Sequence, residues 1–310
     1  MPKPNSKSEK RAKQGSRKAS RRLKWEHKGK KIKIEKAAAK RQRQEDARKL
    51  RETQGPEACP KQTPRTLDTM REYDVTTVDV DDQEMAVEEQ HDEMAAYFRG
   101  ETSTKVLITT AEHSRMSAWK FCYELRKCIP NSCVLGRRRY KLKELLQKAI
   151  ANEFTDLIVV NDDNATPNGL MLCHLPNGPT AYFKINTLKF TKNIKRTGAC
   201  SPHYPEVIMN NFNTRLGHTV ARMLACLFPQ QPNFTGRRVV TFHNQRDYIF
   251  FRHHRYEFKR EGEKAALLEL GPRFTLRLKW LQNGTFDANG EYEWVLKRHE
   301  METTRRRFFL

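Results

Sequence analysis

From residue 105 onward the apolar positions fall into short runs of two different periods. Lys105 to Thr110 is a continuous β-rich run. Ser114 to Lys127 repeats at helical spacing with Trp119, Phe121, Cys122 and Leu125 on one side, and Ser132 to Leu135 reads as a second strand. Leu142 to Phe154 predicts another helix, and Asp156 to Val160 a third, wholly apolar strand. Strands alternating with helices point to a parallel core sheet. The rhythm then changes: Leu170 to Leu175 and Thr180 to Ile185 are joined by Pro176-Asn177-Gly178-Pro179, a hairpin signal that makes the sheet mixed. In the second half, Pro205 to Phe212 and Leu216 to Leu227 read as helices, the latter stopped by Pro229. Gly236 to Phe258 reads as two strands around Asn244 to Asp247, with Val240, Phe242, Phe250 and Phe251 buried. A strand over 269–281 and a last one from Tyr292 to Leu296 complete an α/β fold.

The strand over 269–281 has two unlike sides. After Gly271-Pro272, Phe274, Leu276, Leu278 and Trp280 alternate with Arg273, Thr275, Arg277 and Lys279, until Asn283-Gly284 closes the run. Cations about 7 Å apart along a pleat match the spacing of successive phosphates within side-chain reach. A solvated edge strand, protected from aggregation by charge, has the same pattern.

Charge tips the balance. The 310 residues carry a formal net charge of +22, which points to a polyanionic partner. Residues 1–65 hold 23 Lys and Arg against 7 Asp and Glu. Such a tail buries no core: Met1 to Ser20 reads as disordered, Ile34 to Glu52 as a solvated helix. Its clusters Arg21-Arg22-Leu23-Lys24 and Lys28-Gly29-Lys30-Lys31 read as a nuclear or nucleolar address combined with sequence-independent RNA contact. Residues 66–103 form an acidic linker. Its Gln83 to Phe98 would make a docking helix with Val87, Met94, Tyr97 and Phe98 on one face, or a strap that shields a basic surface until RNA displaces it. The domain proper is expected over 104–297, in halves of about 104–200 and 201–297, followed by a basic tail over 298–310. Seven cysteines without a CxxC pair read as free thiols in a reducing compartment. Met1 to Lys13 has no apolar core, so no signal peptide is read there, and no apolar run approaches the length of a membrane span.

Several segments together resemble one known family: Thr166-Pro167-Asn168-Gly169-Leu170, His174-Leu175-Pro176-Asn177-Gly178-Pro179-Thr180, Phe242 to Arg252, and Glu269 to Leu276. The chain from Thr104 to Leu310 resembles the Brix-domain proteins of ribosome assembly. Its close, Glu291-Tyr292-Glu293-Trp294 and Glu300 to Arg306, is similar to a large-subunit branch more than to the small-subunit and 5S-particle siblings. The resemblance implies two similar α/β halves, each resembling an anticodon-binding domain, and work on the large (60S) subunit precursor in the nucleolus. It implies a dedicated assembly-factor partner of the maintenance of killer protein 16 type within the pre-60S particle. It also assigns Glu269, Leu270, Gly271, Pro272, Phe274, Thr275, Leu276, Leu278, Trp280 and Leu281 to the family's sigma-70-like RNA-binding motif. Trp280 is bulkier than the family pattern suggests, which leaves core and base-stacking roles open.

Enzymatic chemistry finds little support. There is no glycine-rich phosphate loop, and the residue pattern calls for no cofactor, metal or small-molecule substrate. The alternatives are a metal-dependent RNA-processing enzyme using Asp162 and Asp163, which are more simply read as a polar turn capping a buried strand, and a DNA or chromatin scaffold. Together with the resemblance, which implies a non-catalytic factor for rRNA processing, the residues predict contact with pre-rRNA through Arg237, Arg238, Arg246, Arg252, Arg255, Arg273, Arg277 and Lys279.

Overall fold

The computed structural model describes residues 31–46, 48–50, 52, 64–66, 69–79, 82–137, 140–259, 264–287, 290–297, 301 and 306–310. Residues up to Thr66 and from Leu67 onward form separate units. In the first, 31–46 is a helix with every residue exposed, as a run of Ala, Lys, Arg, Gln and Glu with no apolar stripe dictates. Met1 to Ser20 and the Arg21 and Lys28 clusters lie outside the described residues.

The second unit opens with two short helices, α1 (Gln83–His91) and α2 (Ala95–Phe98), where one was expected. Asp92 accepts the Met94 N–H and separates them. Met94 and Tyr97 are buried, whereas Val87 and Phe98 are exposed. The first half then runs β1 (Val106–Thr110), α3 (Met116–Cys128), β2 (Ser132–Val134), α4 (Leu142–Ala151), β3 (Asp156–Asp163), β4 (Thr166–His174) and β5 (Thr180–Lys189). The second runs β6 (Glu206–Asn210), α5 (Arg215–Ala225), β7 (Arg238–Gln245), β8 (Tyr248–Lys259), β9 (Lys264–Glu269), β10 (Arg273–Gln282) and β11 (Tyr292–Val295).

Two further elements differ from expectation. Pro205 to Phe212 is not a helix; it contains β6, parallel to β7, with Val207 and Met209 turned to the core and Ile208 and Asn210 outward. A run of four apolar or amide residues fits either period, and pairing to β7 decides it. β9 is a strand that sequence alone does not show, because Lys-Ala-Ala-Leu-Leu-Glu has helical propensity that pairing with β8 overrides.

All the strands share one sheet, ordered β2-β1-β3-β4-β5-β10-β8-β7-β6, with β9 on β8 and β11 on β10. The order repeats. β1 is parallel to β3, which continues antiparallel through β4 and β5; β6 is parallel to β7, which continues antiparallel through β8 and β10. The two series meet at the β5–β10 pair, so the two similar halves are fused through a single mixed sheet.

The halves differ in how their faces are covered. One face of the whole sheet lies under α3 and α5, where Phe121, Leu125, Val220 and Leu224 meet Ile108, Phe183, Phe242, Phe251, Phe274, Leu276 and Leu278 in one cluster. The opposite face is covered by α4 in the first half alone, through Leu145, Leu146 and Ala149 on Leu107, Leu157, Val159 and Met171. Among the described residues the second half has one α-helix, α5, and it is spent on the first face. Its other face carries no helix among the described residues.

Candidate nucleic-acid interface

β10 lies mid-sheet, hydrogen-bonded to β5 on one side and to β8 and β11 on the other. The edge-strand explanation of its cations therefore fails. Glycine sets its entry: Gly271 sits at φ +70°, and a Cβ there would lie 2.7 Å from the Thr191 hydroxyl. Phe274, Leu276 and Leu278 are buried in the core.

Trp280 does not join them. The register against β5 shifts between Leu278 and Trp280, and this bulge inserts Lys279 and turns Trp280 to the opposite face. There Trp280 stacks on Tyr182 with ring centres 5.6 Å apart, meets Tyr292 edge-on at 5.4 Å, and packs against the α4-side cluster. A Cβ on Gly169 would collide with the Tyr182 ring, so that glycine makes room for the stack. The tryptophan is a packing residue.

On the uncovered face, cross-strand register arranges the cations in rows. Lys189 stands opposite Arg273 and Lys184 opposite Arg277. Arg252 belongs to the β8 residue pair next to Arg273, since Phe251 faces Phe274. Burial and then the charge of Arg273 lower the Arg252 pKa, a sign that like charges are held together here. Arg273 forms a bidentate pair with Glu269, both contacts 2.5 Å; the hydrogen bond to Arg273 keeps the Glu269 carboxyl below its ordinary value. Aromatic rings interleave with the cations: Arg277 lies 5.0 Å from the Tyr248 ring and donates to its hydroxyl at 3.2 Å, and Arg252 lies 5.8 Å from the Phe250 ring. Phe250 is therefore not buried as expected. Phe251 is the core residue, 2% exposed, because adjacent strand residues point to opposite faces.

The expected set of cations divides. Arg252, Arg273 and Arg277 come together on this face, with Lys279 half-buried at the bulge and Arg246 exposed at the β7–β8 turn. Arg237 is exposed before β7, and Arg255, in the alternate phase to Arg252, belongs to the opposite side. Arg238 must be withdrawn as an RNA contact. It is 3% exposed and donates to the carbonyls of Ser201, His203, Lys127 and Cys128 at 2.6 to 3.3 Å. A buried guanidinium at the end of α3 compensates the last-turn carbonyls and the helix dipole. His253 accepts from Arg238 Nε at 3.2 Å and hydrogen-bonds the Gly271 carbonyl at 3.0 Å; burial, then Arg238, lowers its pKa to about 4. In the motif, Leu270, Gly271, Pro272, Phe274, Thr275, Leu276, Leu278 and Leu281 are buried and form the strand's scaffold.

Lys184 and Lys189 were missed. The signal was present: in Thr180–Lys189, Ala181, Phe183 and Ile185 alternate with Tyr182, Lys184 and Asn186. Asp162 accepts the Arg115 N–H at 3.0 Å, which ties the β3–β4 hairpin to the start of α3. Four described acidic residues of the linker pair away from the platform. Asp92 and Glu89 pair with Arg222, and Glu84 and Glu88 with Arg215, on α5 and thus on the other side of the sheet. Nor is the end of the chain wholly a tail: Phe309 and Leu310 donate their N–H groups to Asp247, and the Leu310 side chain joins the core. Residues 302–305 lie outside the described residues.

The architecture is thus a single mixed sheet in two fused halves, with cations and aromatic rings gathered on one face. A Brix domain model matches residues 113–280, and the chain belongs to the Brix-domain family. It is 63% identical over 272 residues to Brix domain-containing protein F44G4.1 of Caenorhabditis elegans, covering 87% of this chain and 71% of that one. It is 54% identical to ribosome production factor 1 of Pongo abelii, over 89% of this chain and 78% of the relative. The Saccharomyces cerevisiae protein of that name is 41% identical over 79% of this chain and 81% of its own. The chain is a ribosome biogenesis factor.

Proposed function

We propose that this factor binds precursor rRNA during nucleolar maturation of the large (60S) subunit, without catalysing a reaction, through the bare face formed by β8 and β10 of its second half and the adjoining β5. The observation that carries the reading is the juxtaposition of Lys184, Lys189, Arg252, Arg273 and Arg277 with Tyr248 and Phe250 on a rigid sheet that no helix covers among the described residues. Cations there neutralise phosphates, and ring faces accept bases irrespective of sequence. The basic tail adds contacts of the first kind. A dedicated assembly-factor partner of the maintenance of killer protein 16 type engages remaining apolar surface, for which Phe258 and Leu267, 61% and 62% exposed on the β8–β9 ribbon, are suited. Crosslinking the full chain to RNA in cells and sequencing the sites tests this: contacts concentrated in large-subunit precursor sequences support it, and contacts spread over messenger RNA or confined to small-subunit precursors refute it.

A further inference from the structure

At the carboxyl ends of the parallel strands β6 and β7, before the first turn of α5, a cleft of about 180 Å3 opens between Arg71, Asn211, Asn213, Asn244, Gln245 and Arg246. The rings of Tyr73 and Phe308 line it as well. In α/β sheets the connections diverge at this end, so the crevice outside the strand ends is where ligands settle.

The chemistry of the lining is specific. Asn244 is 3% exposed, and its Nδ2 donates to the Asn211 carbonyl and to the backbone oxygen of Leu310, each at 2.9 Å. Those two bonds fix the orientation of the amide, so Oδ1 is an acceptor. It is buried and has no hydrogen-bond partner among the described residues. Asn211 and Asn213 are exposed beside it, and so is Gln245. The exposed carboxamides of Asn213 and Gln245 each present a donor and an acceptor in one plane, which suits the edge of a base, and Asn244 adds an acceptor; a phosphate, which only accepts, would leave those acceptors unused. The Arg71 guanidinium lies 5.9 Å from the Tyr73 ring and 5.5 Å from that of Phe308, so planar surfaces and positive charge adjoin. Arg277 of the platform and Arg71 of the cleft both act electrostatically on the carboxyl of Asp247, at the turn between β7 and β8.

We propose that this cleft takes a single nucleobase from an RNA strand lying on the bare face. Asn213, Asn244 and Gln245 read the base edge, Tyr73 stacks on it, and Arg71 and Arg246 hold the flanking phosphates. The platform supplies affinity and the cleft supplies choice among bases, an inference that rests on the RNA-binding reading of the sheet.

Competition binding of the full chain to decamers of adenosine, cytidine or uridine tests it. The wild type should separate its best and worst decamers by about fivefold or more, in line with the discrimination of a well-placed base-edge contact. The double variant Asn213→Ala/Gln245→Ala, both exposed positions, should bring the three within about twofold of one another at an unchanged melting temperature. Tyr73→Ala, at a side chain 74% exposed, should narrow the same ratio. Lys184→Gln/Arg252→Gln/Arg277→Gln should weaken all three decamers together and preserve the ratio. A wild type that binds the three alike, or a ratio that survives in Asn213→Ala/Gln245→Ala, overturns the base pocket. If instead the platform variant binds every decamer as tightly as wild type, the sheet reading is what fails.

Discussion

Phe250 and Phe251 sit side by side in β8 with opposite environments, and their contrast can be measured. Phe251 stacks on Phe274 at 4.3 Å between ring centres, so Phe251→Ala should lose about 3 to 5 kcal/mol of stability by opening a cavity. Phe250→Ala should hold its melting temperature and lose about 1 to 3 kcal/mol of RNA affinity if the ring carries a base. The reverse pattern would mean the faces are exchanged. Composition could not separate the two, because Tyr248-Ile249-Phe250-Phe251 is apolar at every position. Register with β7 and β10 sets the phase. His253 offers a pH test. Its folded pKa of about 4 lies below the ordinary histidine value, so the unfolded chain binds the proton first. Its stabilising contribution is complete above about pH 6.5 and is lost as pH falls towards 4, at up to about 1.4 kcal/mol per pH unit. His253→Gln should therefore show a shallower loss of stability than wild type across that window; superimposable slopes would contradict the buried neutral imidazole.

At the scale of elements, most of the first half was legible because its runs are distinct in kind: β1 and β3 are short continuous apolar runs, α3 has helical spacing and the β4–β5 hairpin has its turn residues, and each stands within a few residues of where those signals put it. The misreadings have physical causes of one kind. β6 and β9 are short, their apolar residues fit two periods, and pairing with β7 and β8 decides between them. Trp280 falls out of phase because alternation cannot reveal a bulge. The candidate site was visible only in part. β10 and β8 announced their cations through alternation, but Lys184 and Lys189 joined them only once β5 was paired with β10, and Arg238 looked like its neighbours until the carbonyls around it were known. Trp280→Ala should accordingly destabilise the fold by about 1 to 3 kcal/mol, as loss of an aromatic cluster member does, and leave RNA affinity unchanged. A stable variant with weakened RNA binding would return the residue to the RNA surface.

For the whole molecule, the decisive feature is an asymmetry between related halves. The first half has helices on both faces of its strands; among the described residues the second has one α-helix and leaves one face bare, and that face, continued onto β5 of the first half, gathers cations on β5, β8 and β10. The tail of 1–65, with 23 basic residues against 7 acidic, should act additively. Its deletion should lower affinity for all RNAs and flatten the salt dependence, each lost phosphate contact removing about 0.7 to 0.9 from the slope of log affinity against log salt. Preference among RNAs should survive the deletion, since the residues that form the bare face and the cleft all lie after Leu67. The most direct measurement of the central claim is the RNA affinity of the full chain carrying Lys184→Gln, Arg252→Gln and Arg277→Gln, compared with wild type at low and high salt alongside thermal melts. The expected result is a folded protein, much weaker than wild type at low salt and closer to it as salt rises. Wild-type affinity at low salt in that folded variant would contradict the claim.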